Sequence, residues 1–159
     1  MAADYPEGPY GKEVGDTFPR MTFLDRHGGV VDLADDYQGS LRARIVFATA
    51  MWCQPCVGDA EALHAEMLEN HPESGSLGVL FEDNHGGEVS AQEAGAYNDG
   101  VDAFEFVADP GLAIHAVFEV AASLPRVVVL DTETMQIAYI DTGHDMVSVV
   151  EAVIAIEDS

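Results

Sequence analysis

The stretch Ala43-Arg-Ile-Val-Phe-Ala-Thr-Ala-Met-Trp-Cys-Gln-Pro-Cys56 decides the fold of this chain. It begins with an apolar run over residues 43–48, of the kind found in buried central strands. It ends with two cysteines three residues apart, the only cysteines in the sequence. A helical pattern follows, and its predicted buried face carries Val57, Ala60, Leu63, Met67 and Leu68. We expect His71-Pro72 to end this helix, because the residue before a proline avoids helical geometry.

The placement of Cys53 and Cys56 between a strand and a helix is typical of a redox-active pair. A cysteine at the start of a helix meets unpaired backbone N–H groups and the positive end of the helix dipole, which favour its thiolate. A second cysteine one turn later is close enough to attack a mixed disulfide. We therefore interpret Cys53 as the nucleophile and Cys56 as the resolving thiol, with Gln54 and Pro55 completing the motif.

Two other interpretations of the cysteines stay open. An inert structural disulfide has the same sequence spacing. A zinc site would need two further ligands, and the six histidines are scattered without ligand spacing. We therefore predict no metal.

Length and charge restrict the possible functions. The 159 residues fit one domain, and we expect a lead-in or linker over 1–14 before a single domain over 15–159. The chain has 6 Lys and Arg against 29 Asp and Glu, a formal net charge of -23. Nucleic acids and anionic membrane surfaces are bound through cationic side chains, so both are excluded as partners. No apolar run approaches the roughly 18 residues of a membrane-spanning helix, so no membrane insertion is expected. The acids are spread along the chain as a solvated surface, and either salt adaptation or simple acidity would explain them.

Strands alternate with helices along the chain, which predicts an α/β fold. A glycine turn at residues 28–29 joins two short strands, 21–24 and 30–33, into a hairpin. Further strands are predicted at 77–81, 104–107, 127–130 and 137–140.

Three more helices are predicted. Ser90 and Glu93 form a capping box for a helix over about 90–98. The pair Asp109-Pro110 supplies an N-cap and a first-turn proline, so we expect a helix from there toward residue 119. The last helix begins near Asp145, and its predicted buried face carries Met146, Val147, Val150, Val153 and Ile154.

With these features, the chain resembles thioredoxin-fold proteins over nearly its whole length, and specifically the TlpA/ResA-type redoxins. The resemblance rests on residues 15–19 (Gly-Asp-Thr-Phe-Pro), residues 28–33, the apolar strand, the Trp-Cys-Gln-Pro-Cys motif at 52–56 and a late Pro125. The helix–strand unit at 90–107 is typical of that group, and small thioredoxins lack it. The resemblance implies a thioredoxin-like central mixed sheet flanked by helices, with an N-terminal β-hairpin and this inserted unit.

The resemblance also implies roles for four residues near the cysteines. Pro125 matches a cis-proline that faces the cysteines, and Leu124 would offer backbone groups to an extended substrate segment. An ordinary trans proline is the alternative. Asp59 matches a carboxylate that moves protons at the cysteines, or is a first-turn acid facing the helix dipole. Trp52 resembles the tryptophan beside the nucleophile, although a packing role is as consistent.

The chain departs from the family pattern at two positions. Small thioredoxins carry a buried carboxylate six residues before the first cysteine, where this chain has Phe47, so Asp59 is the remaining acid nearby. Arg126 follows Pro125 where small polar residues are usual. It could give Cys53 a positive neighbour or pair with a surface acid, and we favour the surface pair.

The implied activity is thiol–disulfide exchange, in which the protein reduces protein disulfides and receives electrons from an upstream donor. The redox-active disulfide Cys53–Cys56 is the only redox group expected, without a further cofactor. A redoxin-type thiol peroxidase is an alternative, but such enzymes carry proline at the position of Val46 and threonine at that of Ala50. A non-catalytic binding module, or a metal or haem-maturation chaperone, is another.

Two expectations concern the protein's setting. We expect a monomer, and the resemblance favours an exported, periplasmic-type location. The first residues of the sequence carry no signal-peptide pattern, since they lack a basic segment and an apolar segment.

Overall fold

A computed structural model describes residues 4–118, 124–141 and 145–159 of the chain. These residues contain seven strands: β1 (Thr22–Leu24), β2 (Val30–Asp32), β3 (Ala43–Thr49), β4 (Gly75–Leu80), β5 (Phe106–Ala108), β6 (Arg126–Asp131) and β7 (Gln136–Asp141). The helices are α1 (Gln54–Asn70), α2 (Ala91–Asp99) and α3 (Met146–Glu157). Two short 3-10 turns cover Leu33–Asp36 and Ala113–Ala116.

The strands form one mixed sheet in the order β2-β1-β5-β4-β3-β6-β7. Strand β3 lies near its centre, parallel to β4 and antiparallel to β6. The hairpin of β1 and β2 joins the sheet through β5, which runs parallel to β4. The predicted central mixed sheet, the N-terminal hairpin and the inserted α2–β5 unit are therefore confirmed.

Strand β3 separates two apolar clusters because its side chains alternate between the faces of the sheet. Ile45 and Phe47 pack on one face with buried residues of α1 and α3. Val46 and Ala48 pack on the other face with the N-terminal segment and the region of Phe118. The predicted central strand is therefore buried on both faces, as its apolar run requires.

Two predicted helix boundaries are confirmed. In α2, Ser90 Oγ accepts a hydrogen bond from the Glu93 N–H at 3.1 Å, and Glu93 Oε1 accepts one from the Ser90 N–H at 3.0 Å. Helix α1 ends before His71, whose Nδ1 lies 2.9 Å from Glu157 Oε1 of α3. Ser74 Oγ also donates to Glu157, at 2.8 Å, so the end of α1 is fixed to the last helix.

The predicted buried face of α1 is wrong at Leu68, which is 68% exposed. The buried residues are instead Cys56, Ala60, Leu63 and Met67, spaced four, three and four apart. This stripe follows one side of the helix, and Leu68 is rotated away from it by about 100°.

The predicted buried face of α3 is wrong for a different reason. Val147 is 67% exposed and Ile154 is 41% exposed, whereas the buried residues are Val149, Val153 and Ile156. Nearly every position of this helix is apolar, so periodicity does not select a face. Packing against β6 and β7 decides it.

The α-helix predicted from Asp109-Pro110 is also wrong. Asp109 instead caps the 3-10 turn Ala113–Ala116, where its carboxylate accepts hydrogen bonds from the N–H groups of Ala113 and Ile114, both at 2.9 Å. Leu112 has a φ of 56°, in the left-handed region, which prevents a continuous helix from Asp109. The predicted end near residue 119 lies outside the described residues.

Gly78 provides a test of this packing. A Cβ built on Gly78 would lie 2.3 Å from a ring carbon of Phe106, which is fully buried in the neighbouring strand. We expect Gly78→Ala to lower the free energy of unfolding by about 1–3 kcal/mol, because the core is overpacked.

Gly58→Ala is the matched control, since a Cβ on Gly58 in α1 meets nothing within 4 Å. This variant should gain up to about 1 kcal/mol, because alanine is the better helix former. Urea denaturation measures both variants. Equal effects at the two glycines would contradict the contact between β4 and β5.

Candidate active site

Cys53 and Cys56 form a disulfide between the end of β3 and the first turn of α1. Cys53 is the N-cap residue of the helix, and Gln54 and Pro55 begin its first turn. The Cα atoms of the two cysteines are 5.5 Å apart, and the S–S bond is 2.09 Å long. The structure therefore places the predicted pair at a helix N-terminus.

The two cysteines differ in solvent exposure, and both lie at the positive end of the α1 helix dipole. Cys53 is 7% exposed and Cys56 is completely buried, so Cys53 is the more accessible of the two cysteines. The first turn of α1 contains no acidic residue that would offset the positive end of the helix dipole. In the reduced protein this arrangement favours a thiolate at Cys53.

Asp59 lies in the second turn of α1, three residues after Cys56, and is partly exposed. The alternative of a first-turn acid is therefore wrong. Residues three apart share a helix face, so Asp59 lies on the same side of α1 as Cys56. Its role in proton transfer stays a prediction.

Hydrogen bonds to Glu82 hold the turn that precedes the nucleophile. The Cys53 N–H donates to the Ala50 carbonyl at 3.1 Å, and the Met51 N–H donates to the Glu82 carbonyl at 3.0 Å. The indole N–H of Trp52 donates to Glu82 Oε1 at 2.9 Å. Glu82 therefore fixes both the backbone and the 43% exposed indole beside Cys53.

Glu82 was not among the site residues predicted from the sequence. Strands β3 and β4 are parallel neighbours, with Thr49 opposite Leu80, so their carboxyl ends meet at one edge of the sheet. This edge is where open α/β sheets bind their ligands. A polar residue just after β4 was therefore the available signal for a group near the cysteines.

A pocket lies beside this turn. Its lining includes Phe81, Glu82, Glu88, Leu112 and His115. Apolar side chains and two carboxylates therefore surround a depression that shares Glu82 with the cysteine turn.

Two aspartates accept backbone hydrogen bonds in the segments next to this pocket. The Asp83 carboxylate accepts hydrogen bonds from the N–H groups of Gly87 and His85, both at 2.8 Å, and these bonds lower the pKa of Asp83. Burial raises the pKa of Asp109, although the N–H groups of Ile114 and Ala113 donate to its carboxylate and partly oppose this shift. Both carboxylates therefore accept backbone hydrogen bonds that hold the local loops at this end of the sheet.

Leu124, Pro125 and Arg126 lie at the same end of the sheet as the disulfide. The Leu124–Pro125 peptide bond is cis, which is the geometry implied by the resemblance. Arg126 pairs with Ala48 of β3, and Pro125 precedes it, toward the end where β3 leads to Cys53. Pro125 is buried and Leu124 is partly buried. Their contribution to substrate binding stays a prediction.

Residues 4–118, 124–141 and 145–159 contain neither a metal-binding cluster nor a membrane-spanning helix. There, no group of three or more His, Cys, Asp or Glu side chains is arranged to hold a metal ion. Across those residues, no helix combines the length and the apolar character needed to cross a bilayer.

Comparisons with known proteins rest on the structure, since no family model matches the sequence and no curated protein is similar to it. The pneumococcal exposed lipoprotein thioredoxin Etrx1 from Streptococcus pneumoniae superposes with a TM-score of 0.66 at 17% identity, over 86% of this chain and 99% of that chain. MTB DsbF superposes with a TM-score of 0.66 at 17% identity, over 86% of this chain and 94% of that chain. An uncharacterized conserved protein from Geobacillus kaustophilus superposes with a TM-score of 0.73 at 16% identity, over 99% of this chain and 88% of that chain. This chain has a thioredoxin-like fold.

In this thioredoxin-like fold, the Trp52–Glu82 contact is open to a direct spectroscopic test, because Trp52 is the only tryptophan. We expect Glu82→Ala to free the indole, because the indole N–H loses its hydrogen bond to the Glu82 carboxylate. Acrylamide quenching of fluorescence should increase and anisotropy should fall.

Two further variants control this measurement. Glu82→Gln keeps an acceptor oxygen and should stay near the parent protein, and Glu88→Ala removes an acid from the same region without touching the indole. Quenching in Glu82→Ala that matches the parent protein would show that Glu82 does not hold Trp52.

Proposed function

We propose that this protein is a thiol–disulfide oxidoreductase that reduces disulfide bonds in protein substrates. The observation that carries the proposal is the Cys53–Cys56 disulfide at the N-terminus of α1, with Cys53 slightly exposed and Cys56 enclosed. The fold neighbours support it by name: one is a lipoprotein thioredoxin, and DsbF was solved in mixed oxidized and reduced forms.

The proposed reaction is a two-step exchange. The Cys53 thiolate attacks one sulfur of the substrate disulfide, forms a mixed disulfide and releases the first substrate thiolate. Cys56 then loses its proton and attacks the Cys53 sulfur, which releases the second substrate thiolate. The substrate gains two electrons, and the protein is left with the Cys53–Cys56 disulfide that the structure holds.

Burial of Cys56 fits this order of events. An enclosed thiol cannot compete with Cys53 for the substrate, yet it lies on the same helical turn and reaches the mixed disulfide without a second encounter. Its proton must leave during the second step. Phe47 occupies the position of the carboxylate found in small thioredoxins, so we assign proton acceptance to Asp59 on α1.

Three residues would contact the substrate. The exposed indole of Trp52 provides an apolar surface beside Cys53, and its orientation is fixed by Glu82. Leu124 and Pro125 precede β6, and an extended substrate segment would pair with the backbone groups of Leu124. This arrangement fits a polypeptide and needs no bound cofactor beyond the disulfide.

The acidic surface supports the proposed direction of electron flow, from this protein to its substrates. A net charge of -23 makes the protein's field unfavourable for an additional anion, so it opposes the thiolate of the reduced state. A destabilised reduced state means a low reduction potential, which favours donation of electrons to substrates. An upstream thiol donor must then restore the dithiol.

Trapping of the mixed disulfide tests the proposed reaction. Cys56→Ser leaves Cys53 able to attack and removes the resolving thiol, so an oxidised model protein should accumulate as a covalent adduct. The adduct should be visible on non-reducing electrophoresis and disappear with dithiothreitol. Turnover should fall by at least about two orders of magnitude, as expected when a group essential to catalysis is removed.

Cys53→Ser is the control for this experiment. It leaves the buried Cys56 as the only thiol and should give neither adduct nor turnover. Equal adduct formation by both variants, or none by either one, would show that Cys53 is not the attacking group.

A further inference from the structure

The pocket beside the cysteine turn carries two acidic residues and no lysine or arginine. Its volume is about 380 Å³, and its lining includes Glu82 and Glu88. None of the described lysines and arginines is among the lining residues, and residues 1–3, 119–123 and 142–144, outside the described ranges, contain neither residue type. The two carboxylates are therefore not neutralised by a basic side chain of the lining.

The arginines are engaged by other groups. Arg42 donates to the carbonyls of Ile156 and Ser159, at 2.8 and 3.3 Å. Arg126 is 4% exposed, with its guanidinium carbon 6.0 Å from the ring centre of Phe118, so the surface ion pair predicted for it is wrong. The other three form ion pairs with aspartates, at 2.7, 2.9 and 2.8 Å: Arg20, Arg26 and Arg44.

The lining also supplies apolar surface beside these carboxylates. Phe81 is buried, whereas the Leu112 side chain is 43% exposed. Pro110 belongs to the same lining. Lysine and arginine pack their alkyl stems on such surface while the charged end reaches a polar group. The pocket volume lies toward the lower end of the range for ligand sites, which suits one such side chain.

The backbone of the lining is held by local hydrogen bonds. Leu112 has a φ of 56°, which is unusual for a leucine, and its N–H donates to the Asp109 carbonyl at 3.2 Å. In the other loop, the Gly87 N–H donates to Asp83 Oδ1 at 2.8 Å, and the Asp83 N–H donates to the Gly87 carbonyl at 3.0 Å. Residues in sparsely populated backbone conformations are frequent at ligand-binding positions. Leu112 combines such a conformation with an exposed apolar side chain.

Glu82 connects the pocket to the turn that carries the nucleophile. Its Oε1 accepts the indole N–H of Trp52 at 2.9 Å, and its carbonyl accepts the Met51 N–H at 3.0 Å. Trp52 directly precedes Cys53 and is 43% exposed. The pocket therefore adjoins the residue next to the cysteine that the proposed reaction uses. An extended peptide advances roughly 3.3 Å per residue, so a substrate bound at Cys53 reaches this neighbourhood within a few residues.

We propose that this pocket selects protein substrates that carry a lysine or arginine within a few residues of the disulfide cysteine. The inference rests on the proposed function, because it assigns part of the substrate to a site beside Cys53. The alkyl stem of the basic residue packs on Phe81 and Leu112, and its charged end pairs with the carboxylates of Glu82 and Glu88. The exchange reaction at the cysteines is unchanged.

Stoichiometric reduction of short unstructured peptides tests this inference. Each peptide carries its cysteine as a mixed disulfide with thionitrobenzoate, whose release is read by absorbance. In the near peptide lysines flank the cysteine closely, and in the far peptide the same lysines stand at the two ends, so net charge is equal. We expect the reduced protein to react about three- to tenfold faster with the near peptide at low ionic strength, and this ratio should shrink in molar salt. Dithiothreitol measures the intrinsic ratio of the two peptides, by which the protein's ratio is divided.

Three variants locate the effect. Glu88→Gln removes a pocket carboxylate and leaves Glu82, which holds Trp52, intact, so it should lower the near-to-far ratio by about twofold or more. Glu73→Gln is the matched control, because it removes the same charge from an exposed residue before β4, whereas Glu82 follows that strand. It should leave the ratio unchanged. Leu112→Asn keeps a residue type that tolerates the left-handed conformation but removes the apolar surface, so it should also lower the ratio.

Equal rates with the two peptides, or an equal loss in Glu88→Gln and Glu73→Gln, would overturn the inference and leave only attraction by the whole acidic surface. The proposed function would then stand, because both peptides are still reduced.

Reduction of neither peptide would instead refute the proposed function, and binding would decide for the pocket. Versions of both peptides with serine in place of cysteine cannot react, and their binding is read by the fluorescence of Trp52. The near peptide should half-saturate the protein at about threefold lower concentration than the far peptide. Equal concentrations would overturn the inference.

Discussion

The hydrogen-bonded turn between β3 and α1 is the constraint on which the site depends. It is held from the side by β4, because the Met51 N–H and the Trp52 indole both donate to Glu82. The turn places Cys53 at the N-cap, where it is slightly exposed, and Cys56 inside the first turn, where it is completely buried. The β-branched and aromatic residues of β3 stabilise this arrangement indirectly, since they bury the strand that carries it.

The charged groups of the chain and the helix dipole act on the cysteine pair in opposite directions. Most of the chain's acids are on the surface, where water and salt weaken their individual effects. The first turn of α1 is free of acids, so no carboxylate there offsets the positive end of the helix dipole. In the proposed function, this acidic surface disfavours the anionic thiolate of the reduced protein, whereas the helix dipole favours it.

Local sequence predicted the parts that depend on short-range rules. The apolar run of β3, the capping box of Ser90 and Glu93, and the helix stop at His71 follow from backbone preferences, and all were confirmed. The buried faces of α1 and α3 were partly wrong, since tertiary packing selects among several apolar sides. The α-helix predicted from Asp109 was wrong because a carboxylate before a proline can cap a 3-10 turn as well as an α-helix.

The missed features of the site depend on contacts between distant segments. Glu82 lies 30 residues after Trp52, and only the parallel pairing of β3 and β4 brings the two together. Arg126 is likewise buried in a strand that pairs with a distant one, since it lies opposite Ala48 in the β3–β6 register. The cysteine pair itself required no such information, because its chemistry is contained in five consecutive residues.

The equilibrium between the Cys53–Cys56 disulfide and the dithiol tests the central claim most directly. Titration of the protein against dithiothreitol or glutathione redox buffers, read by thiol alkylation and mass, gives the reduction potential of the pair. The account predicts a single reversible two-electron transition at about -240 mV or below, in the range of thioredoxin-type reductants. A transition above roughly -180 mV would contradict the assigned direction. The absence of any reversible disulfide would contradict the redox function itself.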